Sequence, residues 1–489
     1  MPSFKWLYIL CIFILGINTI PLLITAEIPQ ISPHEELHLP LHNYEGEPKG
    51  SIEDIVVYRA EFDPLNLIST IIFTLAIIHT LLATKILAYA KSLEKKEGKT
   101  FKAEVIHFLG EVETIFGIWV IPLLLVITYF HGWNSAVEYL NSRNYTEVMV
   151  IVVIMTLAAT YPITSIAEKG LHWLASWGGN TPTAWWLVLL TIGPLFGSFI
   201  TEPGAITITG LLLAKHFYRY GVSEKLSYAT LGLLFTNISV GGVLTSYAAP
   251  PILVAAKQWH WDTPFMLINF GWKAVIGIVL ANALYFYYFR KEFAQLNKRE
   301  KLHEGERETS KPVPLWITLV HILFLILVVI HLHDPVVFIG IFMIFLGFYE
   351  VTSAYQKPLN MRSPLLVGFF FGGLIIHGGL QEWWITPLLQ NVGEWSILGI
   401  AMLLSPFNDN AAVTYLASLI PDLKDSLKYP LVVGAISVGG LTVIANAPNP
   451  AGQQILSSFF KGGISGKKLF YGAAIPALIM VATFLIFRM

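Results

Sequence analysis

Two acids set in apolar surroundings carry most of the chemistry this chain offers. Asp409 lies between Asn408 and Asn410 in the stretch Leu404-Ser-Pro-Phe-Asn-Asp-Asn-Ala-Ala-Val-Thr414, and Glu202 lies in Ser198-Phe-Ile-Thr-Glu-Pro-Gly-Ala-Ile-Thr207. A charge at the depth of an apolar segment is costly and usually faces a protein-lined cavity, so it marks a functional site by default. The two stretches align at a constant offset of 207 residues, which puts Ser198 on Ser405, Thr201 on Asn408, Glu202 on Asp409 and Thr207 on Thr414. A second pair, Ile238-Ser-Val-Gly-Gly242 and Ile436-Ser-Val-Gly-Gly440, is identical letter for letter. At its offset of 198 residues, Ala249-Pro250 falls on Ala447-Pro448. Chance similarity of apolar sequence does not readily produce two such matches at nearly one offset. Interrupted apolar segments at corresponding positions of two halves point to a secondary-transporter binding site.

Hard alkali cations take oxygen ligands. The tips offer the carboxylates of Glu202 and Asp409, the side chains of Thr201, Asn408, Asn410, Thr207 and Thr414, and carbonyls freed where helices break. The interrupted spans add Thr245 and Ser246 on one side, Asn446 and Asn449 on the other. Helix N-termini alone would favour an anion, but the acids place negative charge at the tips themselves. Burial in low dielectric favours the protonated form of a carboxylate, so such a group can trade a proton for a cation near neutral pH. Helix capping is the alternative for both acids, and Pro203 after Glu202 suits a first helical turn; the two roles are compatible. Glu113, Lys273 and His377 are accessory candidates. Glu113 lies near the start of a span, Lys273 could pair with a tip acid or snorkel outward, and a lone histidine such as His377 more often makes a helix-to-helix hydrogen bond than a proton relay. His321, His331 and His333 read as structural or interfacial, and Asn144-Tyr-Thr146 has only the form of a glycosylation sequon.

The elements that must position these residues are membrane helices. The 489 residues are 55% hydrophobic and 13% charged, with a mean hydropathy of +0.62. Soluble domains carry roughly 25% charged residues. The net charge of −1 is uninformative about partners, no basic patch suggests nucleic acid, and the sole cysteine, Cys11, excludes an intramolecular disulfide framework or thiolate metal site. The expected fold is an all-α integral membrane protein of about eleven transmembrane helices plus two re-entrant hairpins, with membrane lipid as its surroundings.

Residues 1–26 fit a cleaved signal peptide and an uncleaved signal anchor equally well. Residues 27–106 supply an external loop, one extra transmembrane helix at about 64–90 and a cytoplasmic loop rich in lysine. By the positive-inside rule, spans at 107–130 and 147–166 are followed by an interfacial stretch near Trp173 and Trp177. A hairpin at 184–215 then opens inward, its arms too short to cross alone. A broken span at 228–256 and a span at 265–289 complete a first repeat, 107–289. Residues 290–335 form a basic cytoplasmic linker and connecting helix. The second repeat, 336–489, has spans at 336–354 and 364–380, a hairpin at 396–420 opening outward, a broken span at 430–460 and a last span at 469–488. Lysine and arginine placement starts the repeats from opposite sides, so their topology is inverted.

Two inverted repeats, each with a re-entrant hairpin followed by a broken span, resemble the ion transporter superfamily. Within it, Asp409-Asn410, Gly110-Glu-Val-Glu113 and Asn446-Ala-Pro-Asn449 resemble the bacterial sodium/proton antiporter family, over about 107–489. The dicarboxylate branch carries Ser-Asn-Thr at both tips, where this chain has Thr201-Glu-Pro and Asn408-Asp-Asn. The resemblance implies secondary sodium/proton antiport across the inner membrane, with sodium and protons as cargo, no cofactor, and a homodimer. An organic-anion or oxyanion transporter on the same fold is the alternative. An intramembrane enzyme is disfavoured by the lack of a His-Glu-x-x-His helix or a Gly-x-Ser-x-Gly elbow. A passive channel would need a continuous polar pore.

Overall fold

The structure, a computed structural model, describes residues 44, 46–48, 50–300, 313–389, 392–461 and 463–488. The signal segment expected at 1–26, the external loop before residue 44 and the linker at 301–312 lie outside the described residues. Those described form helices and no strand. In chain order they are α1 (Ile52–Phe62), α2 (Pro64–Glu97), α3 (Phe101–Gly110), α4 (Val112–Ser142), α5 (Thr146–Ala158), α6 (Tyr161–Ser176), α7 (Pro182–Ile200), α8 (Glu202–His216), α9 (Glu224–Gly241) and α10 (Pro250–Gln258). There follow α11 (Trp272–Glu300), α12 (Leu315–Ile330), α13 (Pro335–Val351), α14 (Arg362–Gly378), α15 (Glu382–Leu389), α16 (Glu394–Leu404), α17 (Asn410–Ser418), α18 (Asp425–Ser437), α19 (Asn449–Leu456) and α20 (Gly466–Ile486).

Among the described residues six helices are long and apolar enough to cross a membrane, or up to eight if each of two bent pairs is one span. Helices α12, α13 and α16 are apolar but shorter. This is a multi-pass membrane protein. Two boundaries differ from the sequence expectation. The span expected at 147–166 ends at Ala158, because the Pro162 ring would clash with the Ala158 carbonyl one turn back; the chain bends there by 64° between α5 and α6. Helix α7, read as a half-length arm, has 19 residues and by length and composition alone could cross.

Prolines inside helices free the carbonyl four residues earlier, and at three of them distant side chains take that carbonyl up. Pro194 in α7 frees the Leu190 carbonyl, which accepts from Asn237 at 2.8 Å and Asn282 at 2.9 Å. Pro387 frees that of Trp383, which accepts from the Arg59 guanidinium at 2.7 Å. Pro476 frees that of Gly472, which accepts from the Tyr285 hydroxyl at 2.8 Å. Water is absent at membrane depth, so each freed carbonyl must find such a donor. The prolines thereby fix which helices are neighbours.

Among the described residues most apolar burial falls in two cores. One gathers residues of α6 to α9, α11, α16, α18 and α20, with Trp185, Phe235 and Phe270 among its fully buried side chains. The other gathers α2, α4, α5, α12, α13 and α14 around Phe116, Phe338 and Phe371. Helices α10 and α17 stand on the boundary: Ile252 and Ala417 face the first core, while Leu253, Val254, Ala411 and Ala412 face the second. The sequence of a bent pair, two helices joined at an acid, a broken helix and a long helix occurs twice, as α5 to α11 and as α14 to α20.

Candidate functional site

At the first tip, α7 and α8 pack along each other and meet at a single residue, Thr201. Its φ of 64° is a conformation β-branched residues rarely adopt. Glu202 follows as the first residue of α8 and is fully buried. One oxygen, Oε2, accepts from the Asn446 side-chain amide at 2.9 Å. The other, Oε1, has no hydrogen-bond partner among the described residues. It lies against Gly242, where a Cβ would sit 2.9 Å from it; glycine at the break lets the carboxylate approach the backbone.

The second tip is built differently. Residues 405–409 link α16 to α17, and these two helices hardly touch; α16 packs instead on α18. Asp409 is the N-cap of α17, its Oδ1 accepting from the Ala411 N–H at 2.8 Å, while its own N–H donates to Asn408 Oδ1 at 3.0 Å. Asp409 also lines a small cavity with Glu113, Phe370, Ile444, Asn446 and Ala447. Glu113 and Glu202 are both within its electrostatic reach.

Each tip is also tied to its own break. Ser198 Oγ donates to the Gly241 carbonyl at 2.7 Å, and Thr245 Oγ1 donates to the Ser198 carbonyl at 2.9 Å. In the second half Ser405 Oγ donates to the Ala435 carbonyl at 3.1 Å, and Thr442 Oγ1 donates to the Pro406 carbonyl at 2.6 Å. The halves then exchange contacts. Asn446 reaches Glu202, while Asn410 Nδ2 donates to Ser239 Oγ at 3.1 Å, which itself donates to the Ile436 carbonyl at 2.7 Å. Helix α19 packs on α8 and α10 packs on α17, each a broken-span half against the opposite tip.

The structure therefore gathers Thr201, Glu202, Asn408, Asp409, Asn410, Thr245, Asn446 and Asn449 in one buried region. Acceptor oxygens without a donor concentrate there: Thr201 Oγ1, Glu202 Oε1, Asn410 Oδ1, Asn446 Oδ1 and Asn449 Oδ1. Asn449 holds its amide on the Gly439 and Thr442 carbonyls, at 2.7 and 3.0 Å, which leaves that oxygen open. The hydroxyls of Thr207 and Thr414 donate back into their own helices, to the carbonyls of Pro203 and Asn410, at 2.7 and 3.2 Å.

Three residues lie elsewhere than the sequence suggested. Ser246 Oγ sits 3.2 Å from Thr263 Oγ1, in the segment between α10 and α11. Lys273 does not pair with a tip acid; its ammonium donates to the Tyr429 hydroxyl at 3.1 Å and lies over that ring. His377 is buried between Phe73 and Phe116, at 6.2 Å from each ring, and neither ring nitrogen has a partner within hydrogen-bond geometry among the described residues. Ser239 and Thr442 were not singled out as site residues. Ser239 was legible as the serine of the repeated Ile-Ser-Val-Gly-Gly; no signal marked Thr442.

A buried oxygen-lined region thus lies between helix breaks in a helical membrane protein. The chain belongs to the family described as "Putative Na+/H+ antiporter", which matches residues 64–487. Among solved structures, the YdaH transporter of Alcanivorax borkumensis is similar at a TM-score of 0.38 and 13% identity, over 77% of this chain and 96% of that one. No curated protein sequence matches the chain.

Proposed function

We propose that this protein is an inner-membrane antiporter that exchanges sodium or another alkali cation for protons by alternating access. The observation that carries this reading is the meeting of Glu202, Asp409 and Asn446 within a region of donor-less oxygens. Carbonyl and hydroxyl oxygens suit a dehydrated alkali cation, and carboxylates can hold either that cation or a proton. The organic-anion alternative lacks such support, since an anion would face two acids here.

On this reading α7–α8 and the α16–α17 region are re-entrant elements of two inverted repeats, 107–289 and 336–489. The crossed contacts of Asn446 with Glu202 and of Asn410 with Ser239 support the pairing of the repeats. Helices α12 and α13 would add two spans to those already named. Because proton and cation compete for the same carboxylates, raising external proton concentration should raise the apparent KM for sodium with little effect at saturation.

The test uses purified protein in proteoliposomes holding a pH dye. Sodium, lithium or potassium gradients should drive proton flux, and succinate should not. Succinate uptake, or no response to any alkali cation, would end this reading.

A further inference from the structure

The cavity beside Asp409 takes part of its wall from the starts of α4 (Val112, Glu113) and α14 (Val367, Phe370). The ion pair of Glu111 with Arg362 joins those two starts, on the face that lysine and arginine placement makes cytoplasmic. On the inverted topology proposed above, α10 and α17, packed on each other, both lead from the helix breaks to the opposite, outer face. They stand between the two apolar cores. At the outer end of this boundary, Lys257 Nζ in the last turn of α10 meets Glu147 Oε1 in the first turn of α5 at 2.5 Å. Both side chains are partly buried, and among the described residues neither has another ion-pair partner. Helix α5 belongs to the second core through Val150, Ile151 and Ile154. By contrast, Glu111–Arg362 joins two helices of the second core, while Glu224–Lys468 and Glu394–Arg488 join elements of the first. The Glu147–Lys257 pair instead fastens one core to the boundary helix, on the side of the site away from the cavity.

We propose, building on the antiport reading, that Glu147 and Lys257 are the latch of the outer gate. The pair holds α10 against α5 while the site faces the cytoplasm, and it parts in each cycle to open the α10–α17 boundary to the outside. Parting two partly buried charges costs free energy until water reaches both of them. The latch therefore biases the protein towards the state closed on the outside. A site open to the outside for only a fraction of the time binds external cation more weakly by that fraction. Loosening the latch tightens apparent binding from the outer face and weakens it from the cytoplasmic face. A pair that only stabilised the fold would act on both faces alike.

The test compares right-side-out and inside-out membrane vesicles. Lys257→Gln and Glu147→Gln should each lower the apparent KM for sodium at the outer face severalfold and raise it at the cytoplasmic face. Reversing the pair, Glu147→Lys with Lys257→Glu, should restore both values. A second measurement needs no transport. In a Cys11→Ser background, Val413→Cys, at a buried position of α17 one turn beyond Asp409, should react slowly with a membrane-impermeant thiosulfonate added outside. It should react faster once either latch residue is neutralised. Values of KM that move together on both faces, or labelling that ignores both substitutions, would overturn the latch and leave antiport standing. Labelling that responds to both substitutions in a protein without sodium-driven flux would keep the latch and remove the antiport reading.

Discussion

The two tips share a sequence frame and differ in what surrounds the acid. At the first, helices α7 and α8 pack together, the turn is one strained residue, and Glu202 is tied to Asn446 from the other half. At the second, a five-residue link separates helices that hardly touch, and Asp409 caps α17 while lining a cavity. The comparison teaches that duplicated sequence supplies equivalent positions without equivalent roles. Asn446 aligns with Ala248 in the first half, so only one of the two acids can receive an amide from the opposite break. The first tip ties its carboxylate to the opposite half, and the second sets its carboxylate in a cavity wall.

The largest contrast is topological. In a Cys11→Ser background, Arg219→Cys should label only from the cytoplasmic face and Lys424→Cys only from outside. Labelling of both from one face would remove the inverted arrangement and with it the pairing of the tips. Next is Asp409→Asn. Asparagine caps a helix about as well as aspartate, so the protein should fold and insert, yet lose sodium-driven proton flux by orders of magnitude. Near-normal flux would reduce Asp409 to a cap.

Glu202→Gln should do less. The amide oxygen can still accept from Asn446, and a charged acceptor strengthens a hydrogen bond by about 1 kcal/mol over a neutral one. Sodium affinity in proteoliposomes should therefore fall by roughly five- to tenfold. A loss as deep as that of Asp409→Asn would mean that the two acids share the exchange. The smallest effect is on the turns. Thr201→Gly relieves a positive φ worth about 1 kcal/mol or more and should raise the melting temperature in detergent. Asn408→Gly, at the matching position, removes the acceptor of the Asp409 N–H and should lower it. Equal responses would show that the tips are conformationally alike.

Much of the site was readable because chemistry and duplication coincide there. Glu202 and Asp409 stand out as acids in apolar sequence, and Asn446, Asn449 and Thr245 lie beside the repeated Ser-Val-Gly-Gly breaks. Sequence is silent where the partner, and not the residue, decides the role. Lys273 is a buried cation whose company is Tyr429, because α18 brings that ring against α11. Ser246 lies one residue from Thr245, yet the backbone turns it towards Thr263. Bends follow local rules once the proline is placed, as at Pro162, but helix length at α7 depends on how the Leu190 carbonyl freed by Pro194 is satisfied from α9 and α11.

The sequence by itself determined that this is a helical membrane protein with a duplicated frame and an acid at each corresponding position. Composition, period and repeat are local or nearly local properties, and they survive without knowledge of neighbours. Only the tertiary structure decided that Glu202 takes its hydrogen bond from Asn446, 244 residues away, and that Glu113 shares a cavity with Asp409. Such contacts follow from how α4, α8, α17 and the second break are brought together. In a medium without water, that placement is governed by which distant donors satisfy the carbonyls and carboxylates freed along the chain.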